Sequence, residues 1–256
     1  MSETRSFRGS FSRLFLEGIA IVASILLAFS IDAWWDGHQE RQEEERLLIA
    51  LLDEFRENKE VLEEARIHHR GLEQAELELM ALAAGSSPDI SPDSLDHLIG
   101  VILWWWSGTK FSVGALNSVV LGGKLHLILN EELRREVAGW QAEIESTHFV
   151  ERQDYTTFHE DFIPYLRENA YLAQISSQTT HRPGSTEPIP NLAVPLRPER
   201  ADHHRMLRDP VFQNLLVQRW WVQWDALTTY DDFEQRIDEV IAQLEMELGL
   251  SVQGTS

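Results

Sequence analysis

The chain has 256 residues, 43% hydrophobic and 25% charged, and its 42 acids against 22 bases give a formal charge of −20. That length suits one or two domains with a real core, and so acidic a surface argues against nucleic acid or anionic lipid headgroups as partners. The chain contains no cysteine, which excludes disulfides, thiolate metal sites and cysteine nucleophiles.

Arg5, Arg8 and Arg13 precede the stretch "LFLEGIAIVASILLAFSIDAWWDG", which begins at Leu14. Between Glu17 and Asp32 only Ser24 and Ser30 are polar. As a helix, Leu14 to Trp35 spans roughly 33 Å, enough for a hydrocarbon core about 30 Å thick. The two carboxylates then sit near its edges, where a side chain leans out to the interface. Trp34 and Trp35 suit the aromatic belt. A cleaved signal peptide competes, because Ala28-Phe29-Ser30 imitates a cleavage site, but Glu17 inside the apolar region argues against it. The arginines predict residues 1–13 as a short cytoplasmic N-terminus, 14–35 as a transmembrane helix and 36–256 as an acidic extracytoplasmic domain. In a bacterium that places the protein in the inner membrane. Ala20, Ser24, Ala28 and Asp32 recur every four residues, a small-residue face expected to favour helix association in lipid.

Beyond the span, Leu48, Leu51, Phe55, Asn58, Leu62, Ala65, His69, Leu72 and Leu79 keep 3-4 spacing, which predicts one helix over 39–84 continuous with the span. Gly85-Ser-Ser-Pro88 ends it. A second helix is expected over about 92–106, with proline in its first turn, and a short one over 112–121, broken by Gly122-Gly123. Asn130 is a cap for a long helix with Glu131 and Glu132 in its first turn and the stripe Leu133, Val137, Trp140, Ile144, Tyr155, Phe158, Phe162 and Leu166. Pro164 is expected to kink it. Residues 176–200 hold five of the nine prolines and read as an irregular loop. A last helix follows over about 210–248, with Trp220, Trp224, Leu227, Ile237, Ile241 and Leu244 on one side. The whole reads as all-α, a transmembrane helix continuing into an antiparallel bundle.

The run "EGIAIVASILLAFSIDAWWD" into "ERQEEERLLIALLDEFRENKEVLEE", followed by "ALNSVVLGGKLHLILNEELRREVAGW", resembles a bacterial family of unknown function with one N-terminal transmembrane helix and a helical domain. The similarity covers roughly residues 10–170. Gly122-Gly123 stands where the family pattern has Ser-Gly. The resemblance implies the fold and the anchor, and carries no catalytic residue.

Glu145, His148, Glu151 and Tyr155 follow one another at helical spacing, the Glu-x-x-His unit of carboxylate-bridged metal bundles. Such a site needs a second unit, and none occurs on another helix, so hydrogen bonding at the stripe's edge is the reading adopted. His68-His69 and His203-His204 are adjacent pairs that cannot share one helix face. No metal, cofactor or catalytic residue is assigned. Eight of the nine tryptophans cluster at Trp34-Trp35, Trp104-Trp105-Trp106 and Trp220-Trp221-Trp224. They cannot all face one core. Trp105, Trp106, Trp220 and Trp224 are candidates to line a ligand pocket. The sequence therefore predicts a non-enzymatic, membrane-anchored structural or interaction protein, with the bilayer and either its own copies or another membrane protein as partners. A sensor-like ligand-binding module acting through a partner is the alternative.

Overall fold

The computed structural model describes residues 7–85, 90–104, 108–183 and 199–250, without the side chains of residues 7–16, 19 and 20. One helix dominates it. Helix α1 runs unbroken from Phe7 to Ala83, 77 residues, about 115 Å at 1.5 Å per residue. Residues 21–36 are exposed on every side, and the large apolar side chains from Ile21 to Trp35 are 50% to 67% exposed. Among the described residues no helix is long and apolar enough to cross a membrane. The expected span over 14–35 includes 14–16, 19 and 20, whose side chains lie outside the described set. The expected association face is affected likewise. Ala20 lies outside, whereas Ser24, Ala28 and Asp32 stand exposed on the helix.

Higher up, α1 enters a bundle. Leu48, Leu51, Phe55, Asn58, Leu62, Ala65, His69, Leu72 and Leu79 are all buried, as their spacing requires. Helix α2 spans Pro92–Val101, capped by Ser91. Helix α3 is Gly114–Val120, and a 3-10 turn at Leu125–Leu127 leads to α4, Glu131–Thr156. The Asn130 side chain accepts from the amides of Glu132 and Leu133 at 2.9 and 3.2 Å, so the expected cap forms. Helices α5 (Ile163–Asn169), α6 (Leu172–Gln178) and α7 (His204–Leu207) are short. Helix α8, Pro210–Glu247, starts at the Asp209 cap and runs antiparallel to α1. Lys59 meets Asp238 at 2.5 Å and Arg56 meets Glu245 at 2.7 Å. Such exposed pairs stabilise little, but they mark the register that the core imposes.

Three expectations change. The second helix stops at Val101 rather than 106, because the chain is drawn off to place the Trp104 carbonyl on Arg219 of α8, 2.8 Å away. A helix forms at 172–178 and takes the first residues of the stretch expected to be irregular, 176–200, of which 184–198 lie outside the described residues. Finally, the kink expected at Pro164 is a stretch of π-helix at Thr157–Phe162. Proline has no amide and its ring crowds the carbonyl four residues back, and the wider turn carries the chain past that point.

The core is divided. One apolar cluster joins α1, α3, α4 and the C-terminal half of α8, with Trp140 between Phe55 and Phe233 at ring distances of 4.6 and 5.1 Å. The other joins the end of α1 to α2, α5, α6 and the start of α8, around Phe162 and Phe212. Here α2 and α6 approach so closely that a Cβ on Gly100 would lie 1.7 Å from the Thr179 hydroxyl. Between the two clusters lies a layer of buried polar side chains.

Candidate functional site: a buried polar layer between two apolar clusters

The layer is built from core positions that carry polar residues. On α1 these are His68, His69 and Glu76; on α4, Glu151 and Asp154; on α8, Arg219, Gln223 and Tyr230; all are buried. Each sits in register with apolar neighbours, as Glu76 does between Leu72 and Leu79. Helical periodicity therefore turns all of them inward, and burial obliges them to find partners.

The partners form a chain across three helices. Glu151 accepts from the Tyr230 hydroxyl at 3.0 Å and from the Thr109 amide at 3.0 Å. Tyr230 also lies 3.2 Å from Nε2 of His69, whose Nδ1 is 2.5 Å from Oε1 of Gln223. The Gln223 amide nitrogen donates to Asp154 at 2.8 Å. That fixes Oε1 toward the imidazole, so His69 carries its proton on Nδ1. Two acceptors, the Glu151 carboxylate and His69 Nε2, then compete for one phenolic proton. The shorter, charge-assisted bond goes to Glu151.

Arg219 sits at the centre. Its Nε lies 2.8 Å from Glu76, its Nη1 3.8 Å from Asp154, and its guanidinium is stacked 4.8 Å from the Phe158 ring. The contact with Glu76 is close but lacks hydrogen-bond alignment. Burial therefore outweighs the arginine and pushes the Glu76 carboxyl up to about 8. Burial, together with His69 and Arg219, pushes the His68 imidazole down to about 3. His69 is lowered by burial, and both rings are neutral at pH 7.

This layer carries the segment that follows α2. Arg219 holds the Trp104 carbonyl, Glu151 the Thr109 amide and His148 the Thr109 carbonyl at 3.2 Å. Asn58 pairs with both backbone groups of Ser112 at 2.8 and 2.7 Å. Glu54 accepts from the amides of Ala115 and Leu116 at 2.7 and 2.9 Å, satisfying the open N-terminus of α3. Side chains from α1, α4 and α8 thus clamp the ends of the tryptophan segment onto a rigid frame.

A second polar cluster fastens residues 199–204. Buried Asp96 of α2 accepts from His203 Nδ1 at 2.5 Å, Gln174 at 2.7 Å and Arg200 at 2.9 Å. His203 Nε2 accepts from the Tyr171 amide at 3.0 Å. Both imidazole nitrogens are occupied, and the ring is a brace.

The expected residues are distributed as follows. In the helical series on α4, His148 and Glu151 hold Thr109, while Tyr155 is exposed with its ring 4.1 Å from that of His159 and tilted to it by 53°. Among the described residues no group of three or more His, Asp or Glu side chains is arranged to hold a metal. Of the pocket candidates, Trp105 and Trp106 lie outside the described residues. Trp220 is half-buried against Trp221, 5.0 Å away, and Trp221 and Trp224 are 54% and 46% exposed. Sequence reading missed Arg219, Glu76, Asp154, Gln223 and Asp96. The available signal was a charged or amide residue at a core position of an otherwise apolar stripe. No family model matches the chain, and no curated protein or solved structure shows significant similarity to it.

Proposed function

We propose that the chain is a membrane-anchored helical interaction protein, held in the bacterial inner membrane by the N-terminal part of α1 with the bundle on the extracytoplasmic side. The observation that carries this reading is the exposure of Ile21 to Trp35 around the whole circumference of a helix that continues into the bundle. A helix apolar on all sides needs an apolar surround, and the bundle of the same chain supplies none. The half that does pack provides a rigid body, and α1 sets its distance from the anchor. Trp221 and Trp224 support a contact surface for a second copy or another envelope protein, since exposed tryptophans suit protein interfaces. They favour that role over the walls of a small-molecule pocket.

Because the chain has no cysteine, single cysteines report its topology. Thr4→Cys and Glu145→Cys are made separately and treated with an impermeant maleimide in cells whose outer barrier alone is opened. Labelling of Glu145→Cys only, with the protein kept in the membrane fraction after alkaline wash, is expected. Labelling of Thr4→Cys only reverses the orientation. Release of the labelled chain into the soluble fraction sinks the anchor.

A further inference from the structure

Helices α1 and α8 meet along an exposed seam whose two halves differ in chemistry. The lower half is a ladder of ion pairs, Arg56 with Glu245, Lys59 with Asp238, and Arg66 and Arg70 with Asp231. At the upper end Met80 and Ala84 of α1 line one groove with Gln213 and Val217 of α8. One antiparallel register joins the two ends, so Leu77 stands level with Trp220, and Glu73 with Trp224. The seam that is charged below thus becomes apolar above. Leu77, Val217, Trp221 and Trp224 are each 43% to 54% exposed there. The indoles are clustered, with Trp221 5.0 Å from Trp220 and 5.8 Å from Trp224 between ring centroids. A contiguous apolar patch of this kind on a charged surface marks a contact site.

The charged half restricts what fits on this face. Helix α1 contributes Arg56, Lys59, Arg66 and Arg70 to it, against Glu63 and Glu73. Helix α8 contributes Asp231, Glu234, Asp238 and Glu245, while its Arg236 is turned away to Glu136 and Glu143 of α4. A two-fold axis parallel to the helices lays α1 of one copy on α8 of the other at the same height. The predominantly basic row then meets the acidic row, Arg56 against Glu245 and Lys59 against Asp238. A two-fold axis across the helices lays α8 on α8, and the acidic row meets acids. Two chains anchored through the N-terminal part of α1 meet only in the parallel sense. Charge and tether therefore select the same arrangement. Size agrees as well. From Arg56 to Ala84 the face is about 42 Å long, and two helices side by side are about 20 Å wide, which matches the roughly 800 Å² that each partner of a standard interface buries.

We propose that this face is the contact with a second copy of the chain, in a parallel dimer whose apolar half holds Leu77, Val217, Trp221 and Trp224 and whose charged half sets α1 of each copy on α8 of the other. This inference rests on the membrane-anchored reading above. A net charge of −20 on each copy opposes self-association in general, so a contact between copies has to be uncharged or matched in sign, and this face is uncharged above and matched below. Anchorage in one membrane adds effective concentration in the required orientation.

The test uses the full chain in membranes of the expressing bacterium. Leu77→Cys, near the two-fold axis, is treated with a short bis-maleimide, and Glu145→Cys on exposed α4 is the control. A linked species of twice the chain mass is expected for Leu77→Cys and not for Glu145→Cys. Adding W221E/W224E is expected to abolish it with an unchanged melting curve. A charge swap, R56E/K59E/D238K/E245K, keeps the signs matched within each copy and between two swapped copies, and sets like charges together when a swapped copy meets a parent copy. Swapped chains carrying Leu77→Cys are expected to link to one another as before and to differently tagged parent chains about tenfold less, since four exposed contacts turn unfavourable. This readout holds even if the tryptophan variant melts early. Equal linking of swapped to parent chains overturns the parallel arrangement. No linking of Leu77→Cys in chain kept in the membrane fraction, or linking only to a chain of different mass, overturns the second copy as occupant and leaves the anchor standing. Release of the chain into the soluble fraction overturns the anchor and this arrangement together.

Discussion

Glu151 shows how one side chain couples the core to the tryptophan segment, because a single carboxylate oxygen takes both the Tyr230 hydroxyl and the Thr109 amide. Glu151→Ala leaves the Thr109 amide buried without an acceptor, while the Tyr230 hydroxyl still has His69 Nε2 at 3.2 Å, which is expected to cost about 1–3 kcal/mol for the one donor stranded. Hydrogen exchange at the Thr109 and Lys110 amides should accelerate while the centre of α4 stays protected. Unchanged exchange at Thr109 would show that the clamp does not hold the segment. Glu76 makes a prediction with a definite sign. Its folded carboxyl is raised from 4.5 to about 8, so the neutral form is favoured in the fold. Its contribution is fully present below pH about 4.5 and is lost as pH rises toward 8. His68 acts in the opposite sense, because its folded imidazole is lowered to about 3. Its contribution is present above pH about 6.5 and is lost as pH falls toward 3. Glu76→Gln should remove the downward slope of melting temperature between pH 5 and 8 and leave the acid limb in place. A slope identical to that of the parent chain would assign the pH dependence elsewhere.

At the scale of the element, α1 is the unusual object, one helix of two characters. From residue 21 to 36 it is largely apolar and exposed; above Glu44 the same periodicity delivers a buried stripe. Its continuity makes a distance measurable. Spin labels at positions 28 and 53, both exposed, are separated by about 37 Å along the axis. A narrow distribution near that value is expected by pulsed dipolar spectroscopy. Gly37→Pro should broaden it, because proline removes an amide and crowds the preceding turn, while the bundle melts as before. A narrow distribution in that variant would mean the helix is stiffened by something other than its own ladder. The contact between α2 and α6 is the other element-level test. Gly100→Ala places a methyl against the Thr179 side chain and is expected to destabilise by about 1–3 kcal/mol in denaturant unfolding.

For the molecule as a whole, the polar layer separates two apolar clusters that α1 and α8 both cross, so the bundle is one body with a polar waist. The upper cluster is closed by residues far apart in the chain: Asp96 and His203 are 107 positions apart, and Asp96 and Arg200 are 104. Asp96→Ala strands buried His203 Nδ1, while Gln174 keeps the Ala201 carbonyl at 3.1 Å and Arg200 keeps Asp93 at 2.5 Å, and the loss is expected to cost about 1–3 kcal/mol. Asp96→Asn, which keeps an acceptor oxygen, should cost less. Equal losses for the two would show that charge rather than hydrogen bonding holds the brace. The foot of the bundle has its own asymmetry, with Arg46 and Lys124 gathered beside the emerging helix of an otherwise acidic chain.

The all-helical fold, the nine-position buried stripe of α1, the Asn130 cap and the break at Gly122-Gly123 were legible in the sequence because each is a local matter. Helical periodicity states which face is turned inward, and a cap or a glycine acts within one turn. The sequence could not state what each inward polar residue would meet. Glu151 reaches Thr109 across 42 positions and Tyr230 across 79, and no spacing rule covers such distances. The same holds for the end of α2 at Val101, which depends on Arg219 taking a carbonyl 115 positions away. Local propensity decided that these segments are helices. Only the tertiary structure decided that the charges within them would pair with one another and hold the backbone at Trp104 and Thr109, because burial in a low-dielectric core leaves a polar group no other stable state.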